Sequence, residues 1–431
     1  MHMRRAASVT VGVLVIVATR LLAQVSFEQA MTDLASADAP TRLRTAQMLK
    51  EAAYPEAAVP LAKVIVDPRD DVQLEAIAAE LNIFLAEKIV PRKRVGFLVE
   101  VRTPVAADAI FMSGPLAVGP RPVPIEVLEA LRTAARDDNP RVRLEAVYAF
   151  GVLAVEPRGT RRRELLRTSG PDLAAMMRAV DPAHRYAALQ VIGRVFERRL
   201  RDEPIDQSVG DAVIGALNEK EPAMQAAAMR ALGAMRYDRS VQSLIDRFQY
   251  RDKGDLAENA LDAIAHIAHP SSVPLLVAQL GSKNATLRGL AAEGLARARD
   301  RSKLTGLQTA LATDRSPSVQ LAGSFAEAML SEAGVEGLAR LVEALQNPRL
   351  REQARWYFIE AAPGRTQALA RYLQDPDPLV RTTLVDALGL SDDPAAMALV
   401  QPMASDPDLE VARAVERALA RLSQVARNPA P

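Results

Sequence analysis

The sequence predicts an all-α solenoid of about eleven stacked helical pairs, and three observations predict it. The first is an even spacing. With the first apolar residue after each turn as an anchor, Met224, Leu256, Leu287, Val319, Leu350, Val380 and Val411 follow one another almost regularly. Their successive differences in number are 32, 31, 32, 31, 30 and 31. The second is the recurrence of small or apolar residues four and eight positions beyond an anchor, as in Val142, Ala146 and Phe150 or Leu287, Ala291 and Leu295. That spacing places them on one helical face. The third is composition: aromatics are only 4% of the 431 residues, so the core must be built from Ala, Leu, Val and Ile. A fixed period of this length marks a repeat array, whose units bury their apolar faces only against one another.

Residues 1–23 read as a secretory signal cut before Gln24: Arg4 and Arg5, an apolar run from Ala6 to Ala18, and a small residue at Ala23. They imply export, to a bacterial periplasm. The alternative is an anchor kept in the membrane, although the run is shorter than the roughly 18 residues a span needs and Arg20 interrupts it. Residues 24–89 form an N-terminal block of repeats with anchors at Leu43 and Val72. Residues 90–124 are a Pro-rich irregular insertion holding six prolines, within which Val95, Phe97, Val99 and Val101 alternate like a short strand. Two readings stand for this arm: it packs on its own groove, or it binds a partner through residues such as Phe97 and Val99. Repeats resume from 125 to 422, and residues 423–431 form a tail.

Within each unit, Asp-Pro or Asn-Pro before the anchor starts the second helix, with the acid or amide as cap and proline in the first turn. The partner helix precedes that turn, as in Ser240 to Phe248 and Val335 to Leu345. The stretches NPRVRLEAVYAFG from Asn139, EPAMQAAAMRALG from Glu221 and DPLVRTTLVDALG from Asp377 share one pattern. On that D-P-x-V-R-x-x-A…A-L-G pattern the chain resembles the HEAT repeat family, in its short class, from Phe27 to Leu422. The resemblance implies a right-handed α-solenoid. It also implies a structural ladder from the residue after each anchor (Arg44, Gln73, Arg143, Arg185, Gln225, Arg288, Gln320, Arg351 and Arg381) to turn aspartates such as Asp181, Asp314 and Asp375. Ala257 and Ala412 break that ladder, as does Asn284 in a turn.

Function is less legible. A net charge of +1 gives no global pull toward nucleic acid, and no cysteine means no disulfide, thiolate metal site or thiol nucleophile. No catalytic, phosphate-loop or dinucleotide motif is present. His266 and His269 stand about one helical turn apart without a third ligand, so they read as helix-end residues, and His184 holds a packing position. We therefore assign no catalytic residue, metal or cofactor, and expect a noncatalytic scaffold that binds another protein in the cell envelope. The alternatives are an enzyme subunit, from the lyase-like branch of the repeat family, and an electrostatic tether to anionic lipid or polysaccharide. Candidate partner contacts are Trp356, Tyr148 and Phe325, which share the sixth position after an anchor with Asp262, Glu293 and Asp386. The ridge Arg161, Arg162 and Arg163 joins them, because Val155 to Arg201 holds 11 arginines against five acids. Those arginines read either as solvated loops or as a contact for an anionic partner.

Overall fold

A computed structural model describes residues 26–85, 121–155, 157–197, 199–251, 254–332 and 334–429. Among them 22 α-helices form eleven consecutive pairs. The first three pairs are α1 (Phe27–Leu34) with α2 (Ala39–Ala52), α3 (Ala58–Val64) with α4 (Asp70–Phe84), and α5 (Ile125–Ala134) with α6 (Pro140–Leu153). The long-spaced middle holds α7 (Thr160–Met176) with α8 (Pro182–Val195) and α9 (Gln207–Ala216) with α10 (Pro222–Met235). Then come α11 (Val241–Arg251) with α12 (Asp255–Ile267), α13 (Val273–Gln279) with α14 (Ala285–Arg297), and α15 (Leu304–Leu311) with α16 (Pro317–Leu330). The last pairs are α17 (Val335–Leu345) with α18 (Arg351–Ala361), α19 (Thr366–Leu369) with α20 (Pro378–Leu390), and α21 (Ala396–Val400) with α22 (Leu409–Arg427).

The second helices stack in unbroken order from α2 to α22, and α4 packs directly on α6. The expected strand, with Phe97 and Val99, lies outside the described residues, as do the signal segment and Arg92, Lys93, Arg94 and Arg198. The terminal helix runs to Arg427, beyond the 422 boundary expected for the repeats, because nothing that stops a helix occurs before Asn428-Pro429.

Close helix approach follows from the small residues. Ala76, Ala146, Ala188, Ala228, Ala291 and Ala354, four past their anchors, are fully buried. Gly389 near the end of α20 is tighter still: a Cβ there would stand 2.8 Å from the Ala418 Cα of α22. The caps form as expected, with Asp38, Asn139, Asp181, Asn284, Asp377 and Asp408 each accepting a backbone N–H of the helix that follows.

The ladder is present, with its register corrected. The residue four past an N-cap reaches the acid two before the next: Arg42 to Asp67, Gln73 to Asp137, Arg185 to Glu219, Arg288 to Asp314 and Arg381 to Asp406. Each of these four arginines also donates through Nη1 to two carbonyls of its own turn, stapling the turn to the next unit. These bonds to Arg288 and Arg381 hold the Asp314 and Asp406 carboxyls below the usual carboxylate range. Arg42, not Arg44, stands in the ladder, because an extra residue separates Asp38 from Pro40 and shifts the anchor to Thr41. Asp181 caps its own helix, so it is no ladder partner; Arg143 donates to the Asp137 and Asp138 carbonyls instead. Arg351 turns to the Leu345 carbonyl, and Asp375 accepts the Asp377 N–H. At α12 the ladder position is Glu258, and the polarity reverses: Asn284 donates to it at 2.8 Å.

One core position breaks the apolar rule. Glu80 of α4 stands where other second helices carry Phe150, Leu295 or Phe358; it is 0% exposed, and among the described residues neither carboxylate oxygen has a hydrogen-bond partner. Burial pushes its carboxyl well above the usual range. A carboxyl whose folded pKa exceeds its unfolded value carries no ionisation cost at low pH. It costs progressively more as pH rises past about 4.5, where the unfolded chain ionises. Glu80→Leu should therefore raise stability at pH 7 by about 1–3 kcal/mol, with a smaller gain near pH 4 in denaturant titrations, where only the unsatisfied neutral carboxyl is relieved.

Candidate partner-binding groove

The array coils until its middle meets its end. The Arg158 N–H donates to Asp392 Oδ2 at 3.3 Å, Arg158 Nη1 to the Ser391 carbonyl at 3.2 Å, and Thr160 Oγ1 to the Pro429 carbonyl at 2.9 Å. Gly159 permits this seam, since a Cβ on it would fall 1.9 Å from the Asn428 carbonyl oxygen. The second helices from α8 to α18 thereby surround a groove of about 1660 Å³.

A buried ionic network forms part of its wall. Arg297 of α14 makes a bidentate pair with Glu360 of α18 at 2.8 and 2.9 Å, and a 3.0 Å pair with Glu293. Tyr357 donates to Glu293 at 2.5 Å and accepts from Gln353 at 2.7 Å. Phe325 of α16 stacks on Tyr357 with ring centroids 4.3 Å apart, and the Arg297 guanidinium lies 5.7 Å from the Phe325 centroid. Burial alone would raise the Glu360 carboxyl, but the Arg297 charge and hydrogen bonds outweigh it and hold Glu360 at about 2. Burial and the Glu293 carboxylate push the Tyr357 hydroxyl well up. His266 pairs with Asp262 at 3.2 Å, while His269 accepts the Ser271 N–H at a helix start. The two histidines thus do separate work.

The sixth-position residues divide. Asp262, Glu293 and Trp356 do line the groove. Phe325 is 0% exposed and Tyr148 6%, so neither offers the exposed aromatic surface expected of it. The Phe325 ring is covered by its stack on Tyr357 of the next unit. Trp356 is half-buried at the seam, facing the groove on one side and a small space beside Leu390, Asp392 and Arg421 on the other. Its indole N–H is buried and reaches no acceptor among the described residues.

The arginine ridge is neither solvated loop nor free charge. Arg161 donates to the Val123 carbonyl at 2.7 Å, and Arg162 pairs with Glu203 at 3.0 Å while donating to the Glu197 carbonyl at 2.9 Å. Arg163 pairs with Asp202, and Arg199 donates to the Met235 and Glu203 carbonyls. Arg201 pairs with Asp238 at 2.6 Å. Long loops leave backbone carbonyls without helical partners, and these guanidiniums supply the donors. Two features of the groove escaped the sequence reading. Arg297 and Glu360 each stand ten past an anchor but two units apart, which a search of adjacent repeats passes over. Arg236, Arg299 and Asp392 close their helices in the left-handed region at φ 46, 55 and 53, where glycine is usual; a charged residue fifteen past the N-cap was the available signal.

The pattern that defines the HEAT repeats matches residues 170–260 and 338–420. Those two stretches carry HEAT repeats. No curated protein matches it in sequence. Among solved structures, an engineered protein shares 18% identity at a TM-score of 0.41, over 92% of this chain and 98% of that one. A structure from work on the phosphorylation switch in the cadherin and beta-catenin interaction shares 14% at 0.42, over 92% and 94%. The karyopherin Kap121p bound to the extreme C-terminus of the phosphatase Cdc14p shares 11% at 0.36, over 93% of this chain and 45% of that one. In this helical array the stacked second helices supply the groove and the ladder lies in the inter-unit turns.

Proposed function

We propose that this HEAT array is a noncatalytic scaffold of the cell envelope whose enclosed groove holds an extended segment of another protein. The observation that carries the reading is the groove itself. At about 1660 Å³ it exceeds the roughly 300–1,000 Å³ of small-molecule sites, and its wall is a continuous run of second helices fixed by buried ion pairs. Export rests on the composition of residues 1–23. The tether to an anionic surface is the weaker alternative, since the arginines it would use already serve acceptors within the chain. The enzyme-subunit alternative gains only the Asp262–His266 pair.

The test places a photo-crosslinking residue at Thr286, exposed inside the groove, or at Tyr250, 78% exposed on α11 and outside it. Each version is expressed in its native envelope. One protein captured through 286 and not through 250 is the expected result. Capture through 250 alone, or none at either position, would overturn the proposal.

A further inference from the structure

Charge along the groove is unevenly answered. Arg297, Arg194 and His266 each face a carboxylate within the wall. Arg236 and Arg299 do not: among the described residues neither guanidinium makes a hydrogen bond or an ion pair, and both line the groove. Arg236 lies deep in the wall near the guanidiniums of Arg297, Arg201 and Arg158; the nearby carboxylate is Glu360, both of whose oxygens are held by Arg297. Burial, then this crowd of cations, pulls Arg236 down to about 10, still charged at neutral pH. Backbone conformation adds an independent observation. Arg236 and Arg299 occupy equivalent left-handed positions at the ends of α10 and α14, which glycine would occupy without strain. The chain keeps a cation there at a conformational cost and leaves it unpaired.

We propose that the groove edge around Arg236, extended by Arg299, docks acidic side chains, so that the occupant of the groove is an acidic peptide segment. This inference rests on the scaffold reading above and names the chemistry of its partner. Planar guanidiniums at fixed helix ends suit bidentate capture of carboxylates. Arg236 is half-buried in the wall and Arg299 exposed, so capture at Arg236 is the less screened of the two.

The test uses the full mature chain and fluorescein-labelled octaglutamate, octalysine and a neutral Gly-Ser octamer. Binding is read by anisotropy and by the fluorescence of Trp356, the single tryptophan, which lines the same groove. Octaglutamate should bind saturably, weaken as salt rises, and lose at least tenfold in affinity in Arg236→Gly, with a smaller loss in Arg299→Gly. Glycine is the residue that the left-handed position prefers, so the thermal midpoint of either variant should be no lower than that of the parent. That keeps the loss of binding separate from a loss of fold. Failure of octaglutamate to bind, or equal binding to Arg236→Gly, would overturn the proposal. A groove that crosslinks its partner through position 286 yet ignores octaglutamate overturns the acidic chemistry and leaves the scaffold standing. Octaglutamate binding that depends on Arg236, without any crosslinked partner, supports the anion site and removes the scaffold reading.

Discussion

Replacing Glu360 with Ala should destabilise the protein by about 3–5 kcal/mol, the cost of leaving one partner of a buried ion pair uncompensated. Arg297 has a side chain only 5% exposed and donates hydrogen bonds to both oxygens of Glu360. Without them it keeps Glu293 alone, which Tyr357 already engages. The effect should reverse in large part in the Arg297→Met, Glu360→Leu double variant, since an apolar pair of similar volume avoids the desolvation penalty. Denaturant unfolding of the parent, both single variants and the double variant measures the coupling. The pH dependence follows with its sign. Glu360 is held at about 2 in the folded chain, below its unfolded value, so its contribution is full above roughly pH 5 and is lost as pH falls toward 2. Glu360→Ala should flatten that acid limb. A variant within about 1 kcal/mol of the parent would show that the pair does not hold α14 and α18 together.

Phe325→Ala should cost about 3–5 kcal/mol, the range for truncating a fully buried aromatic. Three losses coincide: its own burial, the stack on Tyr357, and the ring face toward Arg297. The measurement is the urea midpoint at constant m-value. This expectation replaces the one drawn from the repeat register, in which Phe325 was a surface anchor for a partner. A variant that melts like the parent but loses partner binding would restore that earlier role and contradict the packing.

The architecture was legible because a repeat states its rule many times. The small or apolar residue four past most anchors, the capped Asp-Pro turn and the alternation of arginine with turn acid each recur, and errors at single units, such as Arg44 for Arg42, do not disturb the period. What the period hides is how far the array coils. Contacts such as Arg158 with Asp392 join residues 234 apart in sequence, and no local pattern announces them. The same blindness misplaced Tyr148 and Phe325: a shared register fixes the helical face, while burial depends on which unit lies opposite. It also hid the use of the arginine-rich loops, whose guanidiniums serve carbonyls up to 233 residues away, as Arg158 does for Ser391. Glu80 is the converse case, a residue whose position was readable and whose identity contradicts it.

The scaffold claim is tested most directly by thiol protection. The chain contains no cysteine, so single Thr286→Cys and Tyr250→Cys variants each present one reactive thiol, inside the groove and outside it. Maleimide labelling rates are compared with and without the captured partner. The account predicts that the partner slows labelling at position 286 at least tenfold and leaves position 250 unchanged. Protection at 250 with free labelling at 286 would place the partner on the outer surface and contradict it.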